Sequence, residues 1–219
     1  MREIHALCAI VLCSASSLIA EESQVNLRTS GSQANPAVAI DAEGRSVIVW
    51  SSYYSSSGRS NEILARRFDA AGKPLSIDEF QVNMLRAGNQ TEPAVAMTDA
   101  GAFLVAWHGP GVEQEDIFIR LFDPNGLSRT EELLINANTE GEQFYPSVAA
   151  GNERYVVVWE SRHSDPFGEI RSIRGQLFDG NAGPLGEELR INEEVYDARY
   201  PSVAMDAAGD FVVAWLQIG

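Results

Sequence analysis

Apolar residues along this chain occur in short runs that are separated by polar turns rich in Asp, Gly and Asn. The runs are too short for α-helices and are rich in β-branched and aromatic residues, which is typical of β-strands. The first set of four runs is Ala37–Ile40, Val47–Trp50, Ile63–Phe68 and Phe80–Val82. The pattern predicts an all-β protein.

This set of runs returns along the chain at a nearly constant interval. The segment PAVAIDAEGRSVIVW starts at Pro36, and related segments start at Pro93, Pro146 and Pro201, at intervals of 57, 53 and 55 residues. A period of this size indicates an array of supersecondary units that bury their apolar faces against one another. We place the repeats at about residues 36–83, 93–136, 146–192 and 201–219.

The character of the runs changes systematically through each repeat. First runs carry small residues, second runs such as Val47–Trp50 are apolar at every position, and fourth runs such as Leu189–Asn192 alternate between apolar and polar residues. Strands that are apolar on both faces must be covered on both faces. This gradient favours antiparallel four-stranded blades in a β-propeller-like array, with three full blades and a partial fourth, over a two-sheet sandwich.

A tryptophan closes each second run, at Trp50, Trp107, Trp159 and Trp215. A ring of tryptophans that stack on a ligand is one interpretation. The other is that a large aromatic residue at the equivalent point of every blade packs adjacent sheets together. Because structural residues recur in repeats and site residues usually do not, the repetition favours packing.

The first twenty residues have the layout of a secretory signal peptide. Arg2 precedes an apolar stretch, Ala6–Ile19, and the polar sequence after Ala20 suggests cleavage there. We therefore expect a signal peptide at 1–20, a secreted or periplasmic location and a repeat domain at 21–219. Both cysteines, Cys8 and Cys13, lie in the leader, so we expect a mature chain without disulfides. A lipid anchor at Cys13 is disfavoured because Leu12 stands where a small residue is expected.

The residues that follow the leader match the end of a fourth run. Gln24–Asn26 has the same sequence as Gln81–Asn83, which predicts that 24–26 is a closing strand of the last blade. The last repeat supplies only two runs. The ring is then imperfect, or belongs to a longer chain, or is completed by dimerisation at an exposed strand edge.

The formal net charge of −15 changes the range of expected partners. An acidic surface repels nucleic acids and anionic membranes, so we expect neither as a partner. The apolar stretch of the leader falls short of a membrane span. The chain has neither paired histidines nor a glycine-rich phosphate loop, so we expect no metal and no cofactor.

The consensus P-[AS]-V-A-x-D-A-x-G-x-x-V-V-x-W, with R-x-F-D-x-x-G and V-N or I-N after it, resembles repeats of large, uncharacterised exported bacterial proteins. The resemblance covers about residues 24–219. It implies a β-propeller and carries over no catalytic residue. The glycine pair of kelch repeats and the Trp-Asp pair of WD40 repeats are both missing.

Residues that break the repeat are the candidates for chemistry. The third repeat deviates most after its tryptophan, where Glu160, Arg162, His163 and Asp165 follow, and His108 is the equivalent deviation of the second repeat. Our first hypothesis is a secreted, non-catalytic module that binds a protein or a glycan through these five residues. The second is an exported carbohydrate-active hydrolase, with Glu160 and Asp165 as acids and Arg162 as an anion clamp. A third is a fragment of a larger repeat protein.

Overall fold

The computed structural model describes residues 9–14, 17–53, 60–111, 114–165, 168–193 and 197–218, with side chains from Glu22 onward except that of Asp165. Its regular structure consists of β-strands. They are β1 (Ala9–Ser14), β2 (Ser17–Gln24), β3 (Ser32–Ile40), β4 (Ser46–Tyr53), β5 (Asn61–Phe68), β6 (Phe80–Gln81), β7 (Thr91–Met97), β8 (Phe103–Pro110), β9 (Glu115–Phe122), β10 (Leu133–Leu134), β11 (Glu142–Gly151), β12 (Arg154–Asp165), β13 (Gly168–Asp179), β14 (Pro184–Arg190), β15 (Asp197–Met205) and β16 (Phe211–Ile218).

The strands form antiparallel sheets that follow the repeat. Blade 1 is β3–β6, blade 2 is β7–β10 and blade 3 is β11–β14, each with four strands in sequential order. Half-blade 4 is the pair β15–β16, and β1 pairs with β2 in a separate hairpin. The prediction of four-stranded antiparallel blades, three complete and one partial, is confirmed.

The second strands of blades 1 to 3 are buried on both faces, as their sequence predicts. In β4, the even-numbered Ile48 and Trp50 pack in one cluster, while Val47 and Val49 pack in another cluster with blade 2. Blades 2 and 3 meet in the same way, with Leu104 of β8 among the residues of their shared cluster. Burial of each face against a neighbouring sheet is the main stabilising contribution in this array.

The four tryptophans are packing residues rather than a ligand-binding ring. Trp50, Trp107 and Trp159 are fully buried, and the indole N–H of each donates a hydrogen bond to a glutamine side chain. The acceptors are Gln33 at 2.9 Å, Gln90 at 3.0 Å and Gln143 at 3.0 Å. The hydrogen bond satisfies the one polar group of a side chain that is otherwise apolar.

The first strands begin earlier than the sequence predicts. The apolar run starts at Ala37, whereas β3 begins at Ser32 and pairs with β4 on both sides of Pro36. The strand continues because its register shifts between Ala34 and Ala37, which is a β-bulge that accommodates the proline. The same shift occurs in β7, β11 and β15.

The array has two uncovered ends. Val38 of β3 is 63% exposed, whereas Val95 at the same position of blade 2 is 8% exposed. Val212 of β16 is 68% exposed, whereas its equivalent Leu104 is fully buried. The four units therefore do not close on one another as a four-bladed ring.

The expected leader, 1–20, lies partly outside the described residues. Within it, the structure contains β1 and the first residues of β2, and the signal peptide stays a prediction. Gln24 ends β2, while Val25 packs against Ile48 and Trp50 of blade 1. In the part of the chain that the structure describes, no helix is both long and apolar enough to cross a membrane.

Candidate functional site

Each first strand presents one non-glycine residue in a left-handed backbone conformation immediately before its proline. The φ angles are 52° for Asn35, 52° for Glu92, 51° for Tyr145 and 52° for Tyr200. This conformation costs a residue with a Cβ atom of the order of 1 kcal/mol. It sits in the β-bulge of each first strand, and bulges change the direction in which a side chain points. The same distortion in four consecutive units shows that the fold imposes it.

The four pre-proline residues line one cavity where the first strands converge. Its volume is about 340 Å³, and it is lined by Asn35–Pro36, Glu92–Pro93, Tyr145–Pro146 and Tyr200–Pro201. We call it the axial cavity. The four equivalent positions carry three different side chains, so the repeat loses its symmetry at this point.

The residue that follows the tryptophan in each of blades 1 to 3 contacts the pre-proline residue of the next unit. Ser51 Oγ accepts a hydrogen bond from the Glu92 amide at 3.2 Å, and Glu160 Oε2 accepts one from the Tyr200 amide at 3.3 Å. The His108 ring lies 6.2 Å from the Tyr145 ring, measured between centroids. A second layer of divergent side chains therefore supports the axial cavity.

Glu160 is a fully buried carboxylate beneath the axial cavity. Its Oε1 accepts a hydrogen bond from Arg171 Nη1 of β13 at 2.6 Å. Arg171 also contacts Glu169 and Asp197, and Asp197 pairs with Arg199. Burial raises the pKa of Glu160, and the ion pair with Arg171 opposes that rise.

Glu92 is the carboxyl group on the wall of the axial cavity. Burial raises its pKa first, and the charge of Glu160 raises it further. Two carboxyl groups that repel each other in a partly dry site favour a state in which one keeps its proton. Glu160 has a guanidinium partner that opposes the rise of its pKa, and Glu92 has no such opposing cause.

Aromatic rings surround the carboxyl pair. Tyr145 and Tyr200 pack with their centroids 4.8 Å apart, and Phe144 lies 5.1 Å from the His108 ring. Burial and then the charge of Glu92 raise the pKa of Tyr145, which therefore stays protonated and able to donate a hydrogen bond. Tyr200 is about half exposed and offers an aromatic face at the cavity mouth.

A second cavity of about 530 Å³ lies between blades 2 and 3. It is lined by Gln114, Glu140, Gly141, Glu142, Arg162, His163, Ser164 and Glu169. The Arg162 guanidinium pairs with Glu142 and lies 5.0 Å from the centroid of the Phe144 ring. Because Phe144 also contacts His108 and Tyr145, this aromatic side chain links the two cavities.

The structure does not gather the five predicted site residues into one site. Glu160 and His108 support the axial cavity, while Arg162 and His163 line the second cavity. The Asp165 backbone pairs with Gly168 at the end of β12, and its side chain lies outside the described residues.

Sequence reasoning missed Glu92, Tyr145, Tyr200 and Arg171. The first three carried a usable signal, because the residue before the repeated proline changes from unit to unit. No sequence signal identifies Arg171, because only its position opposite Arg162 in β13 places it near Glu160. Within the described residues, no group of three or more His, Cys, Asp and Glu side chains has an arrangement that would hold a metal ion.

Comparison with known proteins identifies the fold. No protein-family profile and no curated protein sequence matches the chain. Solved structures do match, and they include an α-L-arabinofuranosidase from Fusarium graminearum in complex with an iminosugar inhibitor, with a TM-score of 0.63 and 16% identity. They also include a Penicillium chrysogenum α-L-arabinanase with bound arabinobiose, with a TM-score of 0.59 and 14% identity. A third is an α-L-arabinofuranosidase from Lactobacillus brevis, with a TM-score of 0.52 and 9% identity.

The matches cover nearly all of this chain but only part of each neighbour. The first two cover 94% of the chain and 66% of the neighbour, and the third covers 90% and 71%. The neighbours are five-bladed β-propellers. The chain thus has a propeller-like fold and spans about two-thirds of the length of these proteins.

Proposed function

We propose that the chain carries a carbohydrate-active site in the axial cavity, with glycoside hydrolysis as its reaction. The observation that supports this most strongly is the pair Glu92 and Glu160, two carboxyl groups of unlike environment at positions where the repeat loses its symmetry. Most glycoside hydrolases act through two carboxyl groups, one that gives a proton and one that is ionised. The similarity to solved structures of an arabinofuranosidase and an arabinanase also supports this proposal.

In this proposal Glu92 is the general acid. Its raised pKa favours the protonated form that a general acid needs, and its place on the cavity wall allows contact with the glycosidic oxygen. Glu160 lies below the wall and does not touch the substrate. Its charge favours the protonated form of Glu92. As Glu92 protonates the glycosidic oxygen, the bond from that oxygen to the anomeric carbon breaks and water bonds to the carbon. The proton that water loses returns to the Glu92 carboxylate, which restores the acid.

The surroundings indicate the kind of substrate. Tyr145 and Tyr200 offer aromatic surface and hydroxyl groups, which suit the apolar faces and hydroxyls of a sugar. The net charge of −15 disfavours anionic polysaccharides at long range. A neutral glycan is therefore the expected ligand, and arabinose-containing oligosaccharides are the first to assay because the neighbours act on such compounds.

The test is an assay of hydrolysis with aryl arabinofuranosides and arabinan oligosaccharides as substrates. The rate is measured as the release of reducing sugar. Glu92→Gln should lower kcat at least 100-fold, because positioned acid catalysis contributes roughly 10²–10⁴. Glu160→Gln should also lower kcat. Because it removes the charge that raises the pKa of Glu92, the basic limb of the pH–rate profile should move to lower pH.

A matched control is Glu43→Gln, since Glu43 lies in a hairpin turn with a side chain that is 71% exposed. It should leave kcat and KM unchanged. Loss of activity in the control, or full activity in both Glu92→Gln and Glu160→Gln, would rule out Glu92 as the general acid and Glu160 as the charge that supports it.

The second candidate is a non-catalytic module that binds a glycan or a protein. The contacts of the fully buried Glu160 favour it. Its ion pair with Arg171 lies within blade 3, and the hydrogen bond that it accepts from the Tyr200 amide fixes half-blade 4 against that blade. Isothermal titration with the same oligosaccharides separates the candidates. Binding without turnover, lost in Tyr200→Ala, would indicate the module.

A further inference from the structure

Ser51 of blade 1 contacts the wall of the axial cavity from behind. It follows Trp50 in β4 and lies on the same face as Val47 and Val49, which pack against blade 2. Its Oγ accepts a hydrogen bond from the Glu92 amide of blade 2 at 3.2 Å. Ser51 is therefore bonded to the residue that carries the carboxyl group on the cavity wall.

The β-bulge of β7 takes Glu92 out of the regular pairing with β8. The register shifts between Thr91 and Ala94, and Glu92 lies in the shifted part. The extra residue of a bulge leaves the ladder of hydrogen bonds, yet its amide still needs an acceptor. Ser51 supplies that acceptor from the neighbouring blade.

Glu92 also carries backbone strain. Its φ of 52° lies in the left-handed region, which is unfavourable for a residue with a Cβ atom. The hydrogen bond to Ser51 contributes a free energy of the same order as this strain. Without that bond, the bulge gains freedom to leave the conformation that places Glu92 on the cavity wall.

An equivalent contact joins blade 3 to half-blade 4. Glu160 follows Trp159 as Ser51 follows Trp50, and its Oε2 accepts a hydrogen bond from the Tyr200 amide at 3.3 Å. Tyr200 is the pre-proline residue of its unit and has the same φ of 52°. Two junctions thus use different side chains to hold the pre-proline residue of the next unit.

From these observations we infer that Ser51 is a positioning residue for Glu92. By fixing the bulge of β7, it keeps the Glu92 carboxyl group on the wall of the axial cavity. The inference rests on the proposed function, in which that group protonates the glycosidic oxygen. Ser51 itself is 3% exposed, so it acts through Glu92 and does not touch the substrate.

The next residue of β4 provides a matched control. Ser52 is as buried as Ser51, but successive residues of a strand point to opposite faces. Ser52 pairs with Gln33 on the face of Trp50, away from blade 2. Ser51→Ala and Ser52→Ala therefore remove the same group from the same strand, and only the first removes the bond to Glu92.

The first test compares two substrates that differ in their need for a general acid. A sugar alkoxide is a poor leaving group and requires a proton as the bond breaks, whereas dinitrophenolate leaves as a stable anion. Ser51→Ala should lower kcat for arabinobiose at least about tenfold relative to kcat for dinitrophenyl arabinofuranoside, because a small displacement of a catalytic group slows the reaction strongly. Ser52→Ala should leave this ratio unchanged.

A second pair of variants separates the hydroxyl group from its volume. Threonine and valine have nearly the same shape, and only threonine keeps a hydroxyl group. Ser51→Thr should therefore retain most of the arabinobiose hydrolysis that Ser51→Val loses. Because both variants add similar bulk to the core, the comparison holds even where that bulk disturbs the packing. Equal kcat ratios in the two variants would overturn the inference.

The Glu92 amide provides a readout that needs no catalysis. Ser51→Ala should increase its rate of hydrogen exchange at least about tenfold, because the amide loses its acceptor. The Tyr200 amide, which bonds to Glu160, should be unaffected and is the internal control. Unchanged exchange of the Glu92 amide in Ser51→Ala would also overturn the inference.

The kinetic outcomes separate this inference from the proposed function. If the native chain does not hydrolyse arabinobiose, the two fail together. If the native chain hydrolyses both substrates and Ser51→Ala lowers the two rates equally, only the positioning role of Ser51 fails. An equal loss is the expected result of a smaller folded fraction, which affects every substrate alike.

Discussion

At the scale of single residues, function is expected where the repeat changes its side chain but keeps its backbone. The pre-proline positions have the same φ in all four units, yet they carry Asn35, Glu92, Tyr145 and Tyr200. The backbone strain belongs to the scaffold, because it recurs. The chemistry belongs to the side chain, because it does not.

His108 provides a residue-scale prediction. Burial lowers its pKa to about 4, and its Nε2 lies 2.8 Å from Thr91 Oγ1. The unfolded chain binds a proton near pH 6.5, so between pH 6.5 and about 4 it takes up a proton that the folded chain does not. The stabilising effect of neutral His108 is complete above pH 6.5 and declines as the pH falls through this window.

We therefore expect the native chain to lose about 3 kcal/mol more than His108→Gln between pH 7 and pH 4. Urea unfolding at a series of pH values measures the difference. If the free energy of unfolding depends on pH in the same way in both proteins, then His108 takes up its proton in the folded chain as readily as in the unfolded chain.

At the scale of elements, the second strand and its tryptophan hold adjacent blades together. The buried indole needs a hydrogen-bond acceptor, and a glutamine in the first strand or directly before it supplies one in blades 1 to 3. In half-blade 4 the equivalent residue is Ala198, and Trp215 is only partly buried. Tryptophan therefore contributes less to stability in half-blade 4 than at the equivalent position of blades 1 to 3.

The repeat supplies a matched pair for this element-scale prediction. Trp107→Phe should cost about 2–3 kcal/mol, because it leaves Gln90 Oε1 buried without a donor and opens space in the core. Trp215→Phe should cost less than about 1 kcal/mol. Chemical denaturation of both variants gives the comparison, and equal losses would show that the glutamine bond contributes nothing.

At the scale of the whole molecule, the array is open and its end faces are apolar. This predicts that the same substitution has different costs at equivalent positions. Val95→Thr should destabilise the chain by about 1–2 kcal/mol, because it buries a hydroxyl group. Val38→Thr should change stability by less than about 0.5 kcal/mol, because that side chain is 63% exposed. Thermal melting of the two variants tests this, and similar losses would mean that Val38 is covered in solution.

How much of the fold could be predicted depended on repetition. The blades, the fully apolar second strands and the packing role of the tryptophans all followed from patterns that occur several times. The early start of β3 did not, because a proline within a run normally indicates the end of a strand, whereas a β-bulge lets this strand pass through Pro36.

The candidate site was only half predictable. Glu160 and His108 stood out because they replace the residue after a repeated tryptophan, and both support the axial cavity. Arg162 and His163 lie within three residues of Glu160 in sequence but line a different cavity. Closeness along a strand does not by itself bring side chains to one site. Arg162 shares the face of Glu160 but lies two positions farther along β12, and His163 points to the opposite face.

The sequence by itself determined the period, the strands and the kind of array, since local patterning and burial on both faces leave few alternatives. The tertiary structure alone decided that Glu92, Glu160 and Arg171 form one electrostatic group. These relations join residues of different blades, and they depend on how the sheets converge around the axis rather than on any local pattern.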